Sequence, residues 1–218
     1  MPWVLNSERQ ADARVLGAWV LFCLVALWLN PLRAADQQAE SPTEVVRATL
    51  NEVFQILEDP KLKDPSKVLS RRHMLEEVIA QRFDYTEMSK RALAAQWRGL
   101  TQAQQEEFVG LFKGFLSDRY AEKIEGYSGE AVHYLSERIE GNYAEVRTEI
   151  RSSKTQIPMD YRLYAKEARW HAYDIIVDGV SLVKNYRSQF EKIIRADSYQ
   201  ELVRRLRDRT VEEGKKSK

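Results

Sequence analysis

The chain has 218 residues, 34 Lys and Arg against 33 Asp and Glu, 44% hydrophobic residues and a single Cys. That length holds one domain or two small ones, and the ordinary apolar fraction excludes a disordered, self-repelling chain. The balanced charge removes the basic footprint with which nucleic-acid binders neutralise phosphates, and one Cys excludes a disulfide framework or a Cys-rich zinc site.

Val15–Leu29 is the first predicted element, an uncharged apolar run preceded by Arg9 and Arg14 and followed by Arg33-Ala34-Ala35. As a helix it spans about 22 Å, short of the roughly 30 Å hydrocarbon core of a bilayer, and that length fits the apolar region of a secretory signal peptide. Residues 1–34 are therefore expected to be a signal peptide and residues 35–41 a polar leader. A retained membrane anchor is the rival reading of the same stretch. Cleavage after Ala34 removes three basic and two acidic residues, which balances the remaining charge. It also removes Cys23, which suits an oxidising compartment.

Ser41-Pro42-Thr43-Glu44 has the capping-box pattern with Pro at the first helical position. Val45, Val46, Leu50, Val53, Phe54 and Leu57 follow at helical spacing, and Asp59-Pro60 ends the run. Asp64-Pro65 opens a second predicted helix with Val68, Leu75, Val78 and Ile79 inward. A third runs from Tyr85 to Arg98 with Met88, Leu93 and Trp97 inward. Thr101 caps a fourth, which carries Phe108, Leu111, Phe112, Phe115, Tyr120 and Ile124 on one side and ends at Gly126. After Gly129 the apolar period changes to two, and strands are predicted over 131–138, 143–153, 159–166 and 169–178. Asp178-Gly179 is a turn signal before a short 180–183 segment, and two helices close the chain. The second of these is capped by Ser198, with Glu201 three residues on. Helices, then antiparallel hairpins, then helices define an α+β domain: a twisted antiparallel sheet of four to five strands, with the helices gathered on one face.

The chain offers little for catalysis. His73, His133 and His171 have no partner at metal-ligand spacing, and neither a phosphate loop nor a nucleophile elbow occurs. His171 and Asp174, three apart on a strand, are expected on opposite faces. The strands are more informative. Ala144, Val146, Thr148 and Ile150 make one apolar face, as do Met159, Tyr161, Leu163 and Ala165. In the last long strand alternation predicts Trp170, Ala172 and Ile176 on one face, with Tyr173, Ile175 and Val177 on the other. One face so formed is either plain core or the wall of an apolar cavity.

The segments FDYTEMSKRAL (83–93), LTQAQQEEFVGLF (100–112) and YDIIVDGVSLVKNYRSQFEKII (173–194) resemble the MlaC, or toluene-tolerance, family. The resemblance runs from Val45 to Leu206, and its most specific block is Tyr173, Asp174, Asp178, Gly179, Val180 and Ser181, with Trp170 before it. Phe83-Asp84 and Trp97 to Thr101 fit as well. The family usually has Gly where this chain has Ala94 or Ala95. What the resemblance implies is a cone-like fold related to nuclear transport factor 2, with an apolar cavity between sheet and helices. It implies a phospholipid-binding domain over residues 42–210, with 211–218 a polar tail. The implied function is a periplasmic phospholipid carrier, with phospholipid as cargo and no cofactor, metal or catalytic residue. The implied partners are glycerophospholipid, an inner-membrane ABC transporter complex with its periplasmic lipid-binding subunit, and an outer-membrane lipoprotein–porin complex; nucleic acid is not among them. Two other classes stay open: a non-catalytic adaptor or chaperone-like protein with a filled core, and an enzyme on a cone-like fold. The expected lipid-lining residues are Val146, Ile150, Tyr161, Leu163, Trp170, Tyr173, Val177, Val180 and Leu182 on the sheet. Leu111, Phe112, Phe115 and Ile124 join them from the long helix.

Overall fold

The first helix begins where the sequence places it, because its exposed N–H groups are met locally. In the computed structural model, which describes residues 40–127, 129–152 and 155–216, α1 spans Pro42–Glu58. Ser41 Oγ accepts the Glu44 N–H at 3.2 Å, and Pro42 fills a position that has no N–H to satisfy. The expected signal peptide lies outside the described residues. Asp64 caps a 3-10 turn, Pro65–Lys67, so α2 proper starts later than its Asp-Pro signal and spans Val68–Arg82. Thr101 and Gln104 form a reciprocal capping box at the start of α4, Gln102–Glu125.

Between them, α3 covers only Tyr85–Leu93, not the expected run to Arg98. Ala94 stops it with φ +48° and ψ −118°, and the chain continues as a 3-10 turn over Ala94–Gly99. Side chains with a Cβ are crowded in that conformation, which glycine adopts freely. This chain holds Ala94 there under strain.

Five antiparallel strands pair in sequence order: β1 Ala131–Glu140, β2 Tyr143–Arg151, β3 Gln156–Lys166, β4 Arg169–Val177 and β5 Val180–Ser181. Asp178 and Gly179, with φ of +49° and +76°, make the two-residue turn whose twist suits a hairpin. Then α5 begins at Leu182, ending the short segment two residues earlier than expected, and runs to Ala196; α6 spans Tyr199–Lys216.

A bulge in β4 corrects the predicted faces. Leu163 pairs with Ala172 and Arg162 with Asp174, so Tyr173 is the extra residue. Beyond it the alternation inverts, which puts Ile175 and Val177 on the face of Trp170 and Ala172, and Ile176 on the other. The same shift places His171 and Asp174 on one face rather than two.

The interior is divided into three apolar clusters. One joins α3, α4, α5 and α6 through Met88, Phe108, Phe112, Phe190 and Leu202. A second lies between α1 and the sheet, with Val45, Val46, Val146, Tyr161, Leu163 and Ala172. The third joins α1 and α2 through Val53, Ile56, Leu57 and Leu75, with Ile124 of α4 against it. Phe83, which bridges to Ala172 of β4, packs against both the first and the second. The helices are not gathered on one sheet face: α1 covers the apolar side, while α3 reaches the other through Arg91, over Tyr173 and Tyr143.

Ala94→Gly should relieve the strained turn and outweigh the entropy that glycine loses on folding, for a net gain of about 1 kcal/mol. The expected reading is a melting temperature higher by ~2–4 °C, with Ala94→Val lowering it. An Ala94→Gly protein that melts no higher than the parent by circular dichroism would show that Ala94 is not strained.

Candidate functional site

The paired strands gather one continuous apolar face. It carries Ala144, Val146, Thr148 and Ile150 from β2 and Ile157, Met159, Tyr161, Leu163 and Ala165 from β3. From β4 and β5 come Trp170, Ala172, Ile175, Val177 and Val180. No Asp, Glu, His, Lys or Arg interrupts these positions of β2 to β5; in the edge strand β1, Glu137, paired with Val146, stands on the same side and accepts the Thr43 N–H at 2.7 Å. Thr148, the one aliphatic hydroxyl, is spent on the Met159 carbonyl at 2.5 Å, and the Tyr161 hydroxyl donates to the Met159 sulfur at 3.1 Å.

Burial changes along this face. Val146 and Leu163 are fully covered beneath α1, whereas Ile157 is 38% and Val180 56% exposed. Ile150 and Val177, half-buried, lie between these extremes and outside the packed cluster. The sheet therefore carries its apolar surface past the end of its own core.

The opposite face is polar and structural. Tyr173 stacks edge-on with Tyr143 and Tyr164, and the Arg91 guanidinium sits 3.9 Å from its ring centre. Asp174, 2% exposed, accepts the Ser181 hydroxyl at 2.6 Å and the Val183 N–H at 3.0 Å, with Arg162 at 3.6 Å. Ser181 in turn accepts the Lys184 N–H at 3.0 Å, which caps α5. The most family-specific block is thus the joint between sheet and α5. His171 lies beside the Tyr164 ring, away from the groups that hold Asp174. Two concavities of about 280 and 150 Å³ also stand on this side, lined chiefly by Arg138, Arg147, Arg162, Glu145 and Tyr143. Both fall short of the ~300 Å³ of a small ligand pocket, and their charged walls do not suit acyl chains.

The expected lipid-lining residues separate accordingly. Val146, Tyr161 and Leu163 lie in the packed part of the apolar face, with Trp170 beside them, and Ile150, Val177 and Val180 lie at its open end. Tyr173 lies on the polar face, opposite Trp170, and the bulge separates it from Val177, which it moves to the apolar face; Leu182 is the first residue of a helix rather than of a strand. Phe112 is fully buried in the helical cluster, Leu111 and Phe115 pack at its margin, and Ile124 joins the α1–α2 cluster instead. Ile157, which sequence reasoning left out, belongs with Val180. Pro158 beside it hid the strand's true start.

Asp84 ties the polar face to α3. It accepts the Tyr164 hydroxyl, the Lys166 ammonium at 3.2 Å and the Glu87 N–H at 2.8 Å. Burial alone raises its carboxyl, but these hydrogen bonds prevail and hold it below the ordinary carboxylate value.

Comparison with known proteins adds two findings. Residues 47–208 match the family described as MlaC protein. Among solved structures, the chain is similar to a phospholipid-binding protein from Ralstonia solanacearum, solved in complex with a phospholipid. The TM-score is 0.69 at 24% identity, over 78% of this chain and 97% of that one, which establishes the shared fold.

Two outcomes follow from the polar joint. Asp174→Ala leaves the Ser181 hydroxyl and the Val183 N–H without their acceptor and Arg162 with Glu145 alone, and should cost about 2–4 kcal/mol, read as a lower urea midpoint. Asp84, with its native pKa depressed, stabilises the fold fully at neutral pH and loses that contribution as pH falls through the native pKa, below about 3.9. Asp84→Asn should accordingly flatten the acid limb of a stability–pH profile; an unaltered limb would mean that Asp84 titrates alike in both states.

Proposed function

The chain belongs to the MlaC family, and from that premise we propose that it is a periplasmic phospholipid carrier. In this reading residues 1–34 direct export and residues 42–210 form the lipid-binding domain. The carrier moves glycerophospholipid between an outer-membrane lipoprotein–porin complex and an inner-membrane ABC transporter complex with its lipid-binding subunit, maintaining outer-membrane lipid asymmetry. It acts by binding alone, without cofactor or catalysis.

The observation that carries this reading is the apolar face of β2 to β5, which runs from packed core to the exposed Ile157 and Val180. Acyl chains lying on that face meet Ile150, Val177 and Val180 at the open end, then Tyr161 and Trp170 deeper in. Leu111, Phe115 and Ile124 are the helix side chains available to them, with the headgroup left in water. The complex of the Ralstonia protein with a phospholipid supports the same ligand class here.

Magnitudes explain why partners are needed. Each methylene taken from water is worth roughly 0.8 kcal/mol, so two acyl chains amount to tens of kcal/mol gross. That exceeds the roughly 20 kcal/mol ceiling of non-covalent binding, and a lipid released into water would not leave at a useful rate. Between a bilayer and an equally apolar protein interior the difference is small. A dry path through a partner complex thus makes transfer both feasible and reversible.

Native mass spectrometry with lipid extraction of the purified protein should recover phospholipid; recovery of none under lipid-preserving conditions would sink the proposal. Val180→Glu puts a carboxylate against the acyl chains, at a cost of several kcal/mol. It should fold normally and retain at least about tenfold less lipid, since 1.4 kcal/mol is a factor of ten. Val146→Glu, in the packed part of the same face, should instead unfold the protein. Normal lipid content in a folded Val180→Glu variant would place the ligand elsewhere.

A further inference from the structure

The seam between α2 and α4 differs from every other helix contact in the interior. On its α1 side α2 buries Leu75 and leans Val78 and Ile79 into the apolar α1–α2 cluster. Toward α4, apart from Ile124, which joins the same apolar cluster as Leu75, its contacts are polar. Arg72 Nε lies 2.7 Å from Glu125 Oε1, Arg71 Nη2 lies 3.4 Å from Glu125 Oε2, and the Ser117 hydroxyl donates to Glu76. Among the described residues, no side chain of α2 joins the aromatic cluster that α4 builds with α3, α5 and α6.

These polar groups are largely withdrawn from water, and one atom among them, Arg71 Nε, is left without a partner. The side chains of Arg71, Arg72 and Glu125 are 13, 27 and 15% exposed. Arg71 also donates to the Leu62 carbonyl at 2.8 Å, yet its Nε is buried with no partner. Glu76 faces inward beside Tyr85, whose hydroxyl is pushed up to about 12 by burial and by that carboxylate. Parting an apolar interface exposes carbon to water, whereas parting this one returns water to an orphaned N–H and to three charges. The seam is therefore the one the interior opens at least cost.

The two ends of α2 are held differently. At its C-terminal end Phe83 bridges to β4, and the Asp84 N–H donates to the Ala172 carbonyl at 2.8 Å. The end that carries Arg71 and Arg72 follows two short 3-10 turns, Pro60–Leu62 and Pro65–Lys67, which bury no side chain. Its clasp to Glu125 lies next to Ile124 and Tyr127, where α4 meets the α1–α2 cluster.

We propose that Arg71, Arg72 and Glu125 form a latch on the lipid route, and that α2 swings away from α4 about its pinned Phe83 end to admit and release acyl chains. The inference rests on the carrier reading for what passes through the seam, but not for the motion itself. The latch predicts that ionic strength, which weakens the clasp, speeds exchange of lipid as well as of α2 amide hydrogens.

The test combines hydrogen–deuterium exchange of α2 peptides with transfer of a fluorescent phospholipid from the protein to phosphatidylcholine vesicles. Glu125→Gln should accelerate both by about tenfold, a loss of coupling near 1.4 kcal/mol, and weaken their salt dependence to what Asp118 and Glu122 still supply to Arg72. Glu201→Gln, which removes comparable but exposed pairs with Arg204 and Arg205 on α6, should change neither. Unchanged α2 exchange in the folded Glu125→Gln protein overturns the latch. Faster α2 exchange with unchanged transfer shows that the seam opens but is not the lipid route, which overturns the proposal as well. A wild-type protein that holds no phospholipid fails the carrier reading and with it the route, while the amide exchange still reports whether the clasp governs α2. If Glu125→Gln does not fold, Arg72→Lys, which keeps the charge but loses the fork, should give an intermediate acceleration, and none would count equally against the latch.

Discussion

In β4, Tyr173 is inserted between the positions that pair with Leu163 and Arg162, and the placement of nearly every functional side chain follows from that insertion. Before the bulge the strand sends Trp170 and Ala172 to the apolar face; after it, Ile175 and Val177 take their place there. Asp174 is released to the polar face, where it receives Ser181 and the first turn of α5. Tyr173 itself is turned toward Arg91 of α3. One extra residue thus fixes the apolar surface, anchors two helices and sets the direction in which β5 leaves the sheet.

The interior built around that strand is not uniform. Aromatic packing concentrates in the helical cluster, where Phe108, Phe112, Tyr186 and Phe190 meet ring to ring. This supplies a rigid body against which other parts can move, since close-packed side chains yield little. The cluster beneath α1 holds the sheet. Phe83 couples the two, and polar contacts close the remaining seam. Under the proposed carrier reading, the boundaries between these adjoining cores are where acyl chains are admitted.

Charge plays a local rather than a global part. The near-zero balance of the chain gives no long-range attraction to anionic surfaces. Its charged residues are instead paired across elements, Arg162 with Glu145 and Asp174, Lys166 with Asp84, Arg207 with Glu107. Exposed pairs of this kind contribute little each; those that are half-buried and shared between elements, as at Glu125 and Asp174, set geometry.

Much of this was legible in the residues alone. The caps at Ser41 and Thr101, the change of apolar period after Gly129 and the Asp178-Gly179 turn are local signals, and local backbone chemistry decides them. The resemblance carried by residues 173–194 led to the family for the same reason: the block is a fixed joint with little freedom to vary. What the residues did not reveal was where alternation breaks. A bulge costs no recognisable residue type, so Ile175 and Val177 read onto the face opposite Trp170, Ile176 onto the face of Trp170, and His171 and Asp174 onto opposite ones. The strained Ala94 was hidden too, because its helical neighbours continue the apolar period to Trp97. The three-way division of the core and the polar clasp between α2 and Glu125 arise only when distant segments meet. Periodicity decides which face of an element is apolar; only the tertiary structure decides which of those faces are packed against each other and which end of the sheet is left open.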